Sequence, residues 1–261
     1  MRDLKDTTFI IPIRIETTDR MRNAITSLCY LLDNFNAQVI VKEGDETSVF
    51  EEHVLPQVKE FTDTTNLTHI FEKTSTPEFH RTRYLNEMTR MAETKVVVNY
   101  DCDIILPLDT YVAAEAAIVS GESDVVYPYG FGQYAKMVTV DDAIVTDFLV
   151  GGFSIKLLEE HSKSNDARYG FCQFFDREVY MNGGGENEKF IAYAPEDEER
   201  AYRFEKLGYN VTRLNSFVYH LEHARTPNSW YNNPHMKRNF ALWEHLQTLS
   251  REELATYYGV K

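Results

Sequence analysis

The stretch KVVVNYDCDIILP, residues 95–107, sets two carboxylates two residues apart directly after an apolar run. Val96, Val97 and Val98 are a continuous β-branched run, the pattern of a strand buried on both faces of a parallel sheet. Asp101 and Asp103 then fall at the strand's carboxyl end, and Ile104, Ile105 and Leu106 turn the chain apolar again. Carboxylates between buried segments are costly unless neutralised, and a divalent cation is a common neutralising agent. An acidic turn after a strand accounts for this stretch equally well. HLEH, residues 220–223, ends a second apolar run with His220 and His223 three residues apart. Alone they read as ordinary polar histidines. Beside a carboxylate pair, two imidazoles and an aspartate oxygen make a mixed N/O set suited to Mn²⁺, and less comfortably to Mg²⁺.

Two more segments carry charge in suggestive places. PED, residues 195–197, puts proline at a first helical turn with Glu196 and Asp197 beside it, which favours the helix dipole. Its chemical reading makes one carboxylate a general base, held at a helix start behind the glycine-rich, movable loop MNGGGENEKF at 181–190. FHRTRYLN, residues 79–86, begins a helix with Arg81 and Arg83; they are either solvated or placed to meet phosphate oxygens bidentately.

The elements that must position these groups are legible from periodicity. A strand at 7–13 leads to a helix over 19–35, capped by Thr18 or Asp19, whose apolar stripe includes Ala24, Leu28 and Leu31. A strand at 38–43, a helix around 49–58, a strand at 68–72 and a helix over 80–93 deliver the chain to the strand at 96–100. This alternation predicts an α/β fold with a doubly wound, mostly parallel sheet and helices on both faces. Ligands in such sheets sit outside the carboxyl ends of the strands, where residues 13–14 and 100–103 fall. The second half reads as short strands at 124–127, 137–140 and 148–153, a helix opening near Pro195, and a strand over 211–225 that ends in the histidines. The tail, 234–258, reads as an amphipathic helix or helix pair with Phe240, Leu242, Trp243, Leu246 and Leu249 facing inward. With no repeat or linker, one domain over 1–261 is expected: a nucleotide-binding half (1–106), an acceptor and catalytic half (107–225) and a C-terminal helical extension (226–261).

The 261 residues carry 27 basic and 41 acidic side chains, a net charge of -14, so a passive electrostatic grip on nucleic acid or anionic membrane is not expected. An anionic substrate would need a local device, a metal or a few placed arginines. Three widely spaced cysteines suit neither a disulfide framework nor a zinc site, and fit a reducing compartment. No apolar stretch approaches the roughly 20 residues that span a bilayer. A soluble, cytoplasmic protein is the expectation; peripheral membrane association and oligomeric state stay open.

In order along the chain, IPIR, FHRTRYLN, the DCD after an apolar strand, GGFS, NGGGENEKFIAYAPEDEERAYRFEKLGY and HLEHAR resemble glycosyltransferases of the GT-A fold over roughly residues 8–225. The resemblance is in particular to the β-1,4-galactosyltransferase type, with its C-terminal galactosyltransferase region. Polypeptide N-acetylgalactosaminyltransferases and chondroitin-polymerase-like bacterial polysaccharide enzymes share much of that layout. A lone DxD is weakly specific; the ordered set is stronger.

The resemblance implies a metal-dependent transfer of a hexose (galactose, N-acetylgalactosamine or glucose) from a UDP-sugar donor to a hydroxyl of a carbohydrate or glycolipid acceptor. It implies Pro12 and Arg14 at the uridine pocket, Arg81 near the diphosphate, and Asp101 on the ribose or base side. Asp103 would bind the metal, with His220 and His223 completing the protein ligands. Gly151 and Gly152 would let backbone approach the donor sugar, and Tyr193 would stand between donor and acceptor. Asp197, with Glu196 beside it, would be the acceptor-activating base of an inverting enzyme. Ala194 and Pro195 replace the family's usual glycine pair, implying a stiffer loop. A retaining transferase, a metal-dependent nucleotide-sugar hydrolase, a nucleotidyltransferase and a non-catalytic sugar-binding module remain alternatives.

Overall fold

The computed structural model describes residues 1–230 and 232–260. The first hundred residues build β1 (Arg2–Ile13), β2 (Phe35–Asp45), β3 (Leu67–Lys73) and β4 (Val96–Tyr100), all parallel in the order β3-β2-β1-β4. The crossovers are α1 (Thr18–Asn34), then a π-helical turn at Phe50–Val54 that runs into α2 (Leu55–Phe61), and α3 (Arg81–Met91). Each residue of β4 is buried, as its unbroken apolar run demands. Phe9 on β1 packs edge-on to Tyr100, Tyr111 and Phe174, which ties the strand ends near the carboxylates to the core.

Past Tyr100 the chain makes β5 (Ile104–Ile105), α4 (Leu108–Val119), β6 (Val125–Tyr127) and β7 (Ala135–Val138). It continues through α5 (Asp142–Val150), α6 (Ile155–Glu160), β8 (Ser162–Asn165), β9 (Cys172–Asp176) and α7 (Arg177–Asn182). Then come α8 (Glu196–Leu207), β10 (Val211–Arg213) and β11 (Val218–Leu221). The large sheet runs β10-β6-β9-β4-β1-β2-β3, with β9 antiparallel between β4 and β6. β9 has no counterpart in the sequence-based expectation. Its FCQFF segment alternates too little to stand out, yet Cys172, Phe174 and Phe175 are fully buried. A small second sheet runs β5-β11-β7-β8.

Two expectations are corrected here. Residues 148–153 are not a strand: 148–150 finish α5, whose N-cap Asp141 accepts a hydrogen bond from the Ile144 amide at 2.8 Å. Val145 and Phe148, three apart, form that helix's buried face, a helical rather than a strand spacing. The expected strand over 211–225 is broken in two, β10 in the large sheet and β11 in the small one. The tail is a helix pair, α9 (Met236–Thr248) and α10 (Arg251–Tyr258), the second opened by a Ser250–Glu253 capping box. Trp243, Leu246 and Leu254 pack with Phe190 and Leu207, while Phe240, Leu242 and Leu249 are partly buried against them.

Candidate active site

β5 follows Asp103 immediately and pairs with β11, setting Ile104 opposite His220. The Leu221 amide donates to the Asp103 carbonyl at 2.8 Å, and Asn23 of α1 donates to the Leu221 carbonyl at 2.9 Å. The end of β11 is thereby fixed against the end of β4. His220 Nε2 lies 3.4 Å from Asp103 Oδ1, and His223 Nε2 lies 3.0 Å from Asp103 Oδ2. Nδ1 of His223 stands 2.8 Å from the Ala224 carbonyl, a contact that orients the ring with Nε2 towards the carboxylate. Asp103 Oδ1 is buried and accepts no hydrogen bond. One ligand atom from each of Asp103, His220 and His223 lies within 4.8 Å of the others, and the N/N/O set fits a borderline divalent cation. Although burial opposes ionisation of Asp103, the His220 and His223 imidazoles outweigh it and hold the carboxyl well below its usual range.

The triad lies in a cavity of about 810 Å³ at the carboxyl ends of β1 and β4, lined also by Pro12, Arg14, Arg81, Asp101, Tyr193, Glu196 and Asp197. Arg81 opens α3 and donates to Asp101 Oδ1 at 2.8 Å; its Nη1 stands 3.6 Å from Asp197 Oδ1 and 3.8 Å from Glu196 Oε1. Three acidic side chains therefore surround the guanidinium that was expected near a diphosphate, and only Asp101 hydrogen-bonds to it. Arg83 faces elsewhere, paired with Glu72 and Glu87, because residues two apart on a helix do not share a face. Arg14 is buried and donates to the Gly44 and Pro77 carbonyls at 2.7 and 2.9 Å, tying the end of β1 to the cavity's rim. Glu196 is buried, with Oε2 unpartnered; burial and the neighbouring Asp197 charge push its carboxyl up to about 8. Burial likewise raises Asp101, with Arg81 opposing.

Gly151 and Gly152 do not line this cavity. Gly151 closes α5, its amide 2.8 Å from the Asp147 carbonyl, and both glycines are exposed. They were expected beside a donor sugar from the resemblance carried by the GGFS motif. The run 183–185 is packed rather than loose: Arg203 donates to the Gly183 and Gly185 carbonyls, and the Glu186 amide donates to Asn86 Oδ1 at 2.7 Å. Gly185 has φ +58, and a Cβ there would come within 2.5 Å of Asn86 Oδ1, so only glycine fits. Ala192 and Ala194, flanking Tyr193, sit at φ 61 and 53, left-handed conformations that glycine would adopt without strain.

Several site features carried no sequence signal. Asn239 of α9 is fully buried and donates to the Ile191 and Ala194 carbonyls at 2.8 and 3.0 Å, so the C-terminal helices hold the Tyr193 wall. Met137 Sδ lies 3.0 Å from His220 Nδ1. Residues 165–171 form another wall. Each depends on a long-range contact that spacing does not encode.

No family model matches the sequence, and no curated protein does. Solved structures match in fold. GalNAc-T7 with UDP, GalNAc and Mn²⁺ superposes with a TM-score of 0.59 at 10% identity, covering 98% of this chain and 54% of that one. The mannosyltransferase PcManGT from Pyrobaculum calidifontis, in complex with GDP-Man and Mn²⁺, gives 0.56 at 14% identity over 100% of this chain and 70% of that one. TarS from S. aureus, in complex with UDP-GlcNAc, gives 0.56 at 12% identity over 97% and 69%. The chain has the GT-A fold. It spans about half the length of the GalNAc-T7 chain. In the GT-A frame the carboxyl ends of β1 and β4 are the ligand-facing edge, and Asp101, Asp103, His220 and His223 all lie there. No helix among the described residues is long and apolar enough to cross a membrane.

Proposed function

We propose that the protein is a metal-dependent glycosyltransferase that moves a hexose from a UDP-sugar to a hydroxyl of a carbohydrate or glycolipid acceptor, with inversion. The observation that carries this reading is the convergence of Asp103, His220 and His223 in a cleft that also holds Glu196 and Asp197. The Mn²⁺ and nucleotide-sugars in the neighbouring structures support it. The resemblance to the β-1,4-galactosyltransferase type rests on the motifs alone. Asp103, His220 and His223 would hold the ion, Mn²⁺ ahead of Mg²⁺, and when bound it supplies Lewis-acid stabilisation of the charge on a departing diphosphate. Pro12 and Arg14 shape the nucleotide end of the cleft, and Asp101 is steadied by Arg81 for contact with the nucleotide.

Asp197 takes the proton of an acceptor hydroxyl as its oxygen bonds to the anomeric carbon and the bond to the diphosphate oxygen breaks. Glu196, carrying its own proton near neutral pH, is suited to donate a hydrogen bond to a sugar oxygen. Tyr193 forms the wall between the two substrates. The unit is taken as one transferase domain over the whole chain. Its three cysteines, all buried and unpaired, fit a cytoplasmic setting.

The test is a donor screen with Mn²⁺ that measures UDP release with and without mixed sugar acceptors. Release that rises with acceptor and stops with EDTA is expected, and the anomer of the product by NMR separates inversion from retention. Free sugar formed without an acceptor would make the protein a hydrolase. Binding of UDP and Mn²⁺ without turnover on any acceptor would make it a sugar-binding module.

A further inference from the structure

We infer that Arg200, which does not reach the cleft, is the positioning residue that aims Asp197 at the acceptor. This rests on the assignment of Asp197 as the base. Arg200 is 1% exposed, and three acceptors grip its guanidinium. Nη1 donates to Glu186 Oε1 at 2.6 Å, while Nη2 donates to Gln173 Oε1 at 2.8 Å and to Asp197 Oδ1. Arg81 stands 3.6 Å from that same Asp197 oxygen, beyond hydrogen-bonding reach, so the directional contact is the one from Arg200.

The far side of the guanidinium is anchored to the central sheet. Glu186 Oε1 also accepts from Asn99 Nδ2 at 3.0 Å and from the Tyr180 hydroxyl, all of them buried. Gln173 sits directly opposite Asn99 in the β4–β9 pairing and donates to the Tyr169 and Gly170 carbonyls at 2.8 and 2.7 Å. The position of Asp197 Oδ1 is therefore referenced to two neighbouring strands and to the cleft wall at 169–170. Oδ2 is the oxygen left for an acceptor, and Gly170 keeps room beside it: a Cβ there would lie 3.1 Å from Oδ2. Without Arg200 the carboxylate at the start of α8 would sample other rotamers, and a base misplaced by about 1 Å can cost on the order of 10²-fold in rate.

A double-mutant cycle tests this. Donor KM and kcat are measured for Arg200→Met, Asp197→Asn and the pair, by single turnover where rates are low. Arg200→Met is expected to lower kcat ~10–100-fold with donor KM little changed, and to cost nothing further in the Asp197→Asn background. Equal losses in both backgrounds, or no loss at all, overturn the inference. Full turnover by Asp197→Asn alone would instead overturn the base assignment, and this inference with it. Because Arg200→Met leaves Glu186 charged and buried, Glu186→Gln/Arg200→Met is run alongside, with the melting shift on adding UDP and Mn²⁺ as the check that the donor site is intact. Partial recovery of kcat in Arg200→Lys, which keeps one donor, is the remaining expected result; a lysine variant as slow as the methionine with the same KM would count against a directional role.

Discussion

Replacing Asp103 with asparagine separates metal binding from fold. The amide keeps the size of the carboxylate but removes the one anionic ligand in the triad. Imidazole nitrogens lie 3.4 and 3.0 Å from the carboxylate oxygens, so an amide NH₂ can donate to one of them and fill the gap a cation would take. A ligand that binds only the folded state, at 100 times its dissociation constant, adds about 2.7 kcal/mol. For a chain of this size each kcal/mol is worth roughly 2–4 °C of melting temperature. Saturating Mn²⁺ should therefore raise the wild-type midpoint by about 5–10 °C. Asp103→Asn should show no such rise, while its midpoint in EDTA stays within about 2–4 °C of wild type, a change of roughly 1 kcal/mol. Scanning fluorimetry at pH 7.5, with EDTA, with Mn²⁺ and with Mn²⁺ plus UDP, reads all of this. A variant that keeps more than half the wild-type Mn²⁺ shift would refute the triad as the metal site.

Asp197→Asn should lower kcat by ~10²–10⁴-fold, about 3–5 kcal/mol of barrier, with Mn²⁺–UDP affinity by calorimetry unchanged; wild-type turnover would remove it as base. Glu196 holds a proton in the folded state up to about pH 8, whereas an unfolded glutamate loses it near 4.5. Between those values the folded protein binds more protons than the unfolded one, so this group makes stability fall as pH rises through that window and level off above it. Glu196→Gln should flatten that fall, matching wild type near pH 4.5 and exceeding it at pH 8.5 in urea midpoint; parallel pH profiles would mean that Glu196 is ionised throughout.

The parallel half of the fold was readable because its signals are local. Val96, Val97 and Val98 announce a doubly buried strand, and Ala24, Leu28 and Leu31 a helical face, whatever the rest of the chain does. Residues 148–153 misled because a short apolar run ahead of a glycine pair suits a strand or the end of a helix, and the deciding cap lay upstream at Asp141.

Spacing and residue type alone determined that this chain holds a carboxylate pair at a strand end, a histidine pair after another strand, and an acidic helix start. That much follows from periodicities of two and 3.6 and from the cost of burying charge. Only the tertiary structure decided that Asp103 meets both histidines, since this needs the pairing of β5 with β11. It also decided that Arg81 is surrounded by three acidic side chains, and that Asp197 is held from behind by Arg200. Those contacts join segments whose separation along the chain says nothing of their distance in space, and each is selected by the packing of the whole sheet.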